Sequence, residues 1–172
     1  MQRKTTVKKA AARKYPEPVV LVTTRGRDGK PNVMAVGWTT TVSFVPPMLL
    51  VGIDGGALTC ANIRRTKEFV VAIPHEGMAP EVLFAGTHHG RKTDKFRETG
   101  LRTQDAAKVK APLIADAVAN FECRLVRITR PGDCPLIVGK VVAAHENRNA
   151  KLKRLYYWYK GRFVLRGVKA AR

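Results

Sequence analysis

The chain has 172 residues, of which 45% are hydrophobic, and this fits one globular domain with a single sizeable core. No apolar run is long enough to cross a bilayer and no secretory signal stands at the N-terminus, so we expect a cytoplasmic protein without a membrane span. The net charge is +19, and the segments 1–14 and 151–172 are rich in Lys and Arg without any Asp or Glu. Such charge attracts polyanions, which keeps nucleic acid open as a partner but does not determine function.

The first third of the chain predicts a β-hairpin. Residues 6–14 predict a short helix, and the β-branched run 19–24 predicts a strand. The Gly- and Asp-rich segment 25–31 predicts a hairpin turn. The next strand starts near Asn32 and reads NVMAVGWTTTVSF, in which Gly37 indicates a bend or a close approach of a ligand.

A double proline ends that strand, and the apolar run 48–53 predicts another. The sequence DGG then interrupts the strand pattern before Thr59, which we predict to be the N-cap of a helix over 61–66. Residues 68–73 predict the next strand.

In the second half, residues 77–101 predict a helix, a loop and a short helix. Residues 119–129 alternate between apolar and polar side chains, as in a strand. After Leu125 the apolar positions shift by one residue, which predicts a β-bulge. A further strand is expected over 136–144, and a terminal hairpin over 156–168 around Lys160-Gly161.

Many short strands with turns between them and one helical insertion predict a mainly β fold. We expect a closed or nearly closed β-barrel with flanking helices.

The segment WTTTVS, which covers Trp38 to Ser43, concentrates hydroxyl side chains next to a glycine. Alternate residues of a barrel strand face inward, so some of these groups could bind the polar edge of a planar heterocycle. The alternative is an ordinary Thr-rich edge strand, which composition alone favours.

A second cluster could bind phosphate. Thr59 and Asn62 lie near a predicted helix N-terminus, where free N–H groups attract anions, and Lys95 in the sequence TDKF could add a positive charge. Each residue also has an ordinary explanation, as a helix cap or a surface lysine.

The order of these motifs is more specific than any one of them. A strand, DGKPN, WTTT-x-S, Pro-Pro, an apolar strand, T-x-x-N-I-x-x-T-x-E-F-V-V and D-K-F follow one another. This order resembles the flavin-reductase-like family of FMN-binding split barrels, especially its flavoredoxin-like members. The resemblance is strong over 18–96 and weaker over 131–141, and it implies one split-barrel domain over 1–172 that binds flavin mononucleotide (FMN).

The resemblance also implies roles for individual residues and a homodimer with the flavin close to the subunit interface. The residues expected to contact the isoalloxazine and ribityl groups are Asn32, Trp38, Thr39, Thr40 and Thr41. Those expected at the phosphate end are Thr59, Asn62 and Lys95.

The implied activity is that of an NAD(P)H-dependent flavin reductase, which passes electrons from nicotinamide through FMN to an acceptor. No G-x-G-x-x-G motif follows a strand, so the nicotinamide should bind transiently over the flavin, and the basic charge would favour the phosphorylated form. A flavoredoxin-type electron carrier with a redox protein partner and a ferric reductase remain alternatives. A nonenzymatic nucleic-acid-binding β-barrel is another, supported by the basic ends and the aromatic run 156–159.

One position departs from the family pattern. Cys134 stands where the family commonly has His after Gly-Asp, and we favour a thiol that packs inertly over one that modulates the flavin. Cys60 and Cys123 are expected to be buried or partly buried free thiols. The pair His88-His89 lacks an evident third metal ligand, so a solvated loop is expected there.

Overall fold

The computed structural model describes residues 1–158 and 162–164. The predicted turn at Lys160 and Gly161 and the last residue of the aromatic run, Tyr159, lie outside the described residues. Within this part of the chain the helices are α1 (Val7–Ala11), α2 (Leu58–Thr66), a 3-10 helix (Glu76–Met78), α3 (Ala79–Thr87) and α4 (Lys95–Thr99). The strands are β1 (Glu17–Pro18), β2 (Val20–Arg25), β3 (Pro31–Val36), β4 (Thr39–Phe44), β5 (Pro47–Gly52), β6 (Glu68–Ile73), β7 (Thr103–Gln104), β8 (Leu113–Ile114), β9 (Ala119–Thr129), β10 (Leu136–Glu146), β11 (Tyr156–Trp158) and β12 (Arg162–Val164).

The largest sheet of the described chain is antiparallel and has the order β3-β2-β6-β9-β10-β5-β4. Its two edge strands, β3 and β4, are consecutive in the chain and joined only by Gly37 and Trp38. That link spans at most roughly 11 Å, whereas a flat sheet of this order would separate the edges by about 29 Å. The sheet must therefore curl until its edges approach each other, which gives a barrel that is split between β3 and β4.

The barrel interior is filled by apolar side chains that alternate along the strands. Phe69 is fully buried at its centre and lies so close to Gly139 that a Cβ there would come within 2.5 Å of the Phe69 ring. A second cluster packs α3 against the outer side of β2 and β3, and includes Leu21, Val33 and Val82. The helical insertion is thus fixed against β2 and β3, and β3 leads into the hydroxyl-rich segment through Gly37.

Several predicted elements are confirmed. The strand over 68–73 and the order of helix, loop and short helix over 77–101 are present, and the β2–β3 turn closes with Gly29 at a positive φ of 77°. The predicted bulge is also present, because Val138 pairs with Arg127 and Gly139 pairs with Leu125, which leaves Val126 as the extra residue.

Two expectations are corrected. The segment that starts at Asn32 is two strands rather than one, because the chain leaves one sheet edge at Gly37 and joins the opposite edge at Thr39. Thr59 is not an N-cap: α2 starts at Leu58, and its N-cap Ala57 makes no side-chain cap hydrogen bond. The Thr59 hydroxyl is used instead in a tertiary contact.

A buried carboxylate holds the segment 105–110 on the outer side of the sheet. Glu122 is fully buried and accepts hydrogen bonds from the backbone N–H groups of Ala107, Lys108 and Val109 at 2.6–3.0 Å. His145 Nε2 lies 2.6 Å from the same carboxylate. Burial raises the pKa of Glu122, but the His145 contact and the backbone donors outweigh it, and the net pKa lies below its ordinary value. The ionised form is therefore the one that the fold stabilises.

The two ends of the described chain meet in a small separate sheet. β11 pairs with β1 on one side and with β12 on the other, so the predicted terminal hairpin is present in its strands. Among the described residues, no helix combines the length and apolarity that a membrane span requires.

Candidate functional site

An inner cavity of about 360 Å³ lies where β3, the start of α2, the end of α3 and α4 come together. It is lined by Asn32, Met34, Asp54, Gly56, Ala57, Leu58, Thr59, Ala85, Gly86, Thr87, His88, His89, Gly90 and Lys95. Three of the predicted site residues, Asn32, Thr59 and Lys95, therefore share one cavity although they are far apart in sequence.

Asn32 and Thr59 are joined directly. The Asn32 side-chain amide donates to the Thr59 hydroxyl at 2.9 Å, and both residues are buried. A Cβ at Gly90 would overlap Asn32 Oδ1, so only glycine lets the chain after α3 pass this close to the Asn32 amide. Local sequence patterns do not indicate the importance of Gly90, because Asn32 is distant from it in the chain.

The N-terminus of α2 faces the same cavity through Ala57, Leu58 and Thr59. The first N–H groups of a helix have no intrahelical partner, and they carry the positive end of the helix dipole. Since Ala57 supplies no capping side chain, these donors are available to an anion.

Lys95 completes the positive side of the cavity. Its side chain is buried, and its amino group donates to the carbonyl oxygen of Ala85 at 2.8 Å. An ammonium group has three N–H donors, so two remain for a ligand. Burial lowers the pKa of Lys95 from 10.5 to about 8, so a bound anion would restore the charge that burial disfavours.

Asn62 lies one helical turn beyond Thr59 and is buried, with its amide donating to the Thr24 hydroxyl at 3.1 Å. It lines a second, neighbouring space of about 590 Å³, here called the basic cleft. The basic cleft is lined by Gly26, Arg27, Asp28, Lys30, Pro31, Asn32, Leu58, Asn62, Arg65, Gly90, Arg91, Lys92, Thr93 and Asp94. Asn62 therefore faces the cleft next to the inner cavity.

Trp38 lies on the other side of the inner cavity. It lines a space of about 620 Å³, here called the Trp38 cavity, together with Gly52, Asp54, Gly55, Gly56, Arg64, Arg130, Asp133 and Cys134. Asp54 and Gly56 line both spaces, so the two adjoin. Burial, followed by the nearby Asp133 and Asp54 carboxylates, raises the pKa of the Cys134 thiol, which makes it a poor nucleophile at neutral pH.

The threonines after Trp38 are placed differently from the buried site residues. Thr40 and Thr41 are exposed, and Thr39 is half-buried, on the edge strand β4. The structure therefore groups the predicted residues into a buried set around Asn32 and an edge-strand set on β4.

His88 and His89 are exposed at the end of α3, and both line the inner cavity. The His88 ring stacks on Phe84 with centroids 3.8 Å apart. Among the described residues no group of His, Cys, Asp or Glu could hold a metal ion. Sequence reasoning treated this loop as solvated and missed that it closes one wall of the cavity.

With this geometry in place, comparison with known proteins identifies the family. The model of the flavin reductase like domain matches residues 12–165. The chain belongs to that family. The resemblance indicated by the motif order is thereby confirmed, and so is the mainly β split-barrel fold.

Three similar proteins illustrate the relationship. An uncharacterized protein of Archaeoglobus fulgidus is 39% identical over 113 residues, which cover 66% of this chain and 64% of that protein. A flavin reductase (NADH) of Kitasatospora aureofaciens is 31% identical over 144 residues, or 83% of this chain and 72% of that one. The structure of flavoredoxin from Desulfovibrio vulgaris (Miyazaki F) superposes with a TM-score of 0.88 at 22% identity, and covers 100% of this chain and 97% of that one. The chain thus spans less than two thirds of the Archaeoglobus protein.

Proposed function

We propose that the chain binds FMN in the inner cavity and acts as an NAD(P)H-dependent flavin oxidoreductase. The observation that carries the proposal is the convergence of the α2 N-terminus, the buried Lys95 amino group and the Asn32–Thr59 pair on one cavity of a flavin-reductase-like fold. The donor set suits a phosphate monoester, because all of these groups present N–H or O–H donors or positive charge.

The residues of the site bind and orient. Lys95 and the first N–H groups of α2 hold the phosphate, while Asn32 and Thr59, fixed by their mutual hydrogen bond, position the ribityl chain. Trp38 extends the site toward the ring end at the Trp38 cavity. When bound, FMN would supply the redox chemistry, namely acceptance of hydride from the nicotinamide and transfer of electrons to an acceptor.

The proton on Lys95 is part of this binding function. With a pKa of about 8 in the flavin-free protein, Lys95 is largely charged at pH 7 and largely neutral above pH 9. The phosphate is doubly charged over that range and raises the pKa again, so the protein holds FMN more tightly when Lys95 is protonated.

The nicotinamide is proposed to approach from the Trp38 cavity, which is open and adjoins the inner cavity at Asp54 and Gly56. Arg64 and Arg130 line this approach and provide positive charge for the phosphates of the donor. Whether the acceptor is free flavin, a ferric chelate or a redox protein partner is to be decided by comparing turnover on all three.

A homodimer is part of the proposal. The edge strand β4 and the residues that flank it carry exposed apolar side chains: Trp38 before the strand is 57% exposed, Phe44 at its end 87% and Val45 after it 93%. Exposed apolar side chains of this size along one edge strand are typical of protein–protein interfaces. Pairing through this surface would cover Thr40 and Thr41 and bring them near the ring end of the site.

Cytoplasmic residence is also proposed, because Cys60, Cys123 and Cys134 are all free thiols.

The visible absorption spectrum of the purified protein tests the proposal. A flavoprotein is yellow or becomes yellow when FMN is added, and it oxidises NADH or NADPH in the presence of FMN. The net charge of +19 favours one rival, a nonenzymatic nucleic-acid-binding barrel. That rival predicts a colourless protein without FMN binding and with strongly salt-dependent nucleic-acid affinity.

A further inference from the structure

The positive charge of this chain is concentrated at its two ends. Residues 1–14 and 151–172 contain fourteen of the 32 Lys and Arg residues and none of the 13 Asp and Glu residues. The 136 residues between these segments hold 18 cations against 13 carboxylates. The net charge of +19 is therefore mainly a property of the two ends and not of the part of the chain that carries the proposed flavin site.

The fold brings these two ends together. β1 pairs with β11, which places Glu17 opposite Tyr157. The ring of Tyr15 packs edge-on against the same Tyr157 ring, with the centroids 5.6 Å apart. The two basic segments that adjoin this pairing, residues 1–14 and 151–158, are here called the terminal basic surface.

The C-terminal part of the terminal basic surface is fixed to the rest of the chain. Leu155 is fully buried, and its N–H donates to the carbonyl oxygen of Pro74 at 2.9 Å. The Glu76 N–H donates to the carbonyl oxygen of Lys153, also at 2.9 Å. These two hydrogen bonds hold the backbone on both sides of Arg154, so that the chain presents this cation at a defined place.

The cations of the terminal basic surface have few acidic partners. Among the described residues, one ion pair involves this surface, and it joins Lys14 to Glu17 at 2.6 Å. No residue of α1 is buried, so Lys8 and Lys9 extend into solvent. Unpaired cations at this density create a positive potential that attracts a polyanion.

Arg154 and Tyr156 add an aromatic element to the charge. The guanidinium carbon of Arg154 lies 5.5 Å from the centroid of the Tyr156 ring, and both residues are half-buried. Arg154 Nε is buried without a hydrogen-bond partner among the described residues, and burial lowers the pKa of Arg154. A phosphate beside this guanidinium would stabilise its charge, and the ring offers a face on which a base can stack.

We infer that the terminal basic surface binds single-stranded nucleic acid, as an activity additional to the proposed flavin chemistry. Cations spread along two chain segments match a chain of phosphates, and the Arg154–Tyr156 pair matches unpaired bases. Residues 1–14 and 151–158 line none of the inner cavity, the basic cleft and the Trp38 cavity. The two functions therefore use separate surfaces, and neither depends on the other.

An anionic membrane and an acidic protein match this surface less well. A helix that lies on a membrane needs a broad apolar face, whereas α1 has five residues and Val7 is its only large apolar one. An acidic protein offers separate carboxylates instead of a continuous chain of charge, and it has no bases to stack on the Tyr156 ring. The observations therefore favour a nucleic-acid strand.

Binding of labelled oligonucleotides, measured by fluorescence anisotropy over a range of salt concentrations, tests the inference. The probes are single strands of uridine (RNA) and thymidine (DNA) of about 16 nucleotides, a DNA duplex of the same length, polyglutamate, and vesicles that contain phosphatidylglycerol. The proteins are the unmodified full chain, the terminal variant Lys4→Gln/Lys8→Gln/Lys9→Gln/Arg13→Gln and the control variant Arg97→Gln/Lys108→Gln/Arg127→Gln/Lys140→Gln. The control removes the same number of exposed cations from the rest of the chain.

We expect the terminal variant to bind the single strands about tenfold more weakly or worse. The slope of log affinity against log salt should become shallower by about 0.7 for each phosphate contact that is lost. The control variant should change the affinity less than about threefold and leave the slope as it is. Tyr156→Leu keeps an apolar side chain and removes the ring, so it should lower the affinity severalfold at an unchanged slope, because stacking releases no counterions.

The comparison of probes and variants decides the outcome. Tighter binding of the RNA or of the DNA strand identifies the natural class, and equal binding indicates that the 2′-hydroxyl is not recognised. Equal losses in the terminal and control variants would show that net charge alone attracts the strand, and would overturn the inference. Tighter binding of the duplex, polyglutamate or vesicles would overturn it as well.

FMN titration of the same proteins separates this inference from the proposed function. The terminal variant should bind FMN like the unmodified chain, since its substituted residues line none of the three cavities. If the unmodified chain binds no FMN, the proposed function fails, and the oligonucleotide affinities of the terminal and control variants still decide the inference.

Discussion

The buried amide of Asn32 on β3 donates to the hydroxyl of Thr59 in the first turn of α2, at 2.9 Å. Thr59→Val keeps the shape of the side chain and removes the acceptor, so the buried amide loses its partner. We expect the free energy of unfolding to fall by about 1 to 3 kcal/mol and FMN binding to weaken. Thr59→Ser keeps the hydroxyl and serves as the control; urea unfolding and FMN titration of both variants make the comparison. If Thr59→Val and Thr59→Ser changed stability and FMN affinity equally, the Thr59 hydroxyl would contribute to neither.

Removing the Lys95 charge is expected to weaken FMN binding. Lys95→Met keeps most of the side-chain volume and should cost about 1 to 3 kcal/mol of binding free energy if the ammonium donates to the phosphate. Lys140→Met, which removes an exposed charge from β10, is the matched control. An FMN affinity that is the same in both variants would mean that Lys95 does not contact the phosphate.

The lowered pKa of Lys95 also predicts that a rise in pH stabilises the flavin-free fold and weakens FMN binding. Between about pH 8 and 10.5 the unfolded chain keeps a proton that the flavin-free folded protein has lost, so the free energy of unfolding should rise with pH in that window. FMN requires the charged form, and its affinity should fall roughly tenfold from pH 7 to 9. Fluorescence titrations across this range measure the effect, and a flat profile in Lys95→Met would assign it to this residue.

Gly90→Ala is expected to disturb the site through Asn32. The new Cβ would overlap Asn32 Oδ1 and lie 3.2 Å from Leu58 Cδ2, so the Asn32 amide would have to move away from Thr59. Overpacking of this kind costs about 1 to 3 kcal/mol of stability, and FMN affinity should fall as well. Gly132→Ala is the control, because a Cβ there meets nothing within 4 Å. Thermal unfolding and FMN titration should separate the two alanine variants clearly.

The Glu122 carboxylate should stabilise the fold without affecting flavin binding. Glu122→Gln weakens the contacts with His145 and the 107–109 backbone and should lower the free energy of unfolding by about 2 to 4 kcal/mol. Because its folded pKa lies below the ordinary value, this stabilisation is complete at neutral pH and is lost as the pH falls through the folded pKa. Urea unfolding from pH 7 downward should show a weaker acid dependence in the variant. Glu146→Gln, an exposed neighbour on β10, should behave like the unmodified protein.

The proposed dimer depends on the exposed apolar side chains along β4 and at its two ends. Phe44→Asp places a charge where the partner would pack, and we expect a monomer by light scattering together with weaker FMN binding. Val7→Asp is the control, since Val7 on α1 is equally exposed at 85%. A dimer that persists in Phe44→Asp would place the interface elsewhere.

Local patterns in the sequence predicted most of the strands and even one irregularity. The phase slip after Leu125 predicted the bulge, because a period of two leaves only one way to keep both halves of β9 facing the core. The same reasoning could not show that β3 and β4 lie at opposite edges of the sheet, because the local sequence at Gly37 and Trp38 does not indicate the order of the strands.

The site was predictable only in part for the same reason. Thr59 suits a helix cap locally, but its hydroxyl accepts from Asn32, which is 27 residues away, and the cap position falls to Ala57. The TDKF segment and the resemblance both suggested Lys95 as a phosphate ligand, with a surface lysine as the alternative, but its burial against the Ala85 carbonyl depends on the packing of α3 on α4. Tertiary contacts of this kind leave no periodic signal in the sequence.

Gly37 and Trp38 connect the two edge strands of the barrel, β3 and β4, covalently, whereas the other neighbouring strands of the large sheet are held together by backbone hydrogen bonds. In the described chain no strand pair of the large sheet joins β3 to β4, so cutting the chain between Gly37 and Trp38 would break none of the strand pairs. A circular permutant whose new termini lie between Gly37 and Trp38 would keep the strand pairs of the large sheet and lose only the covalent link between its two edge strands. The width of the cleft beside β3, and with it the size of ligand that the barrel admits, would then be set by packing alone.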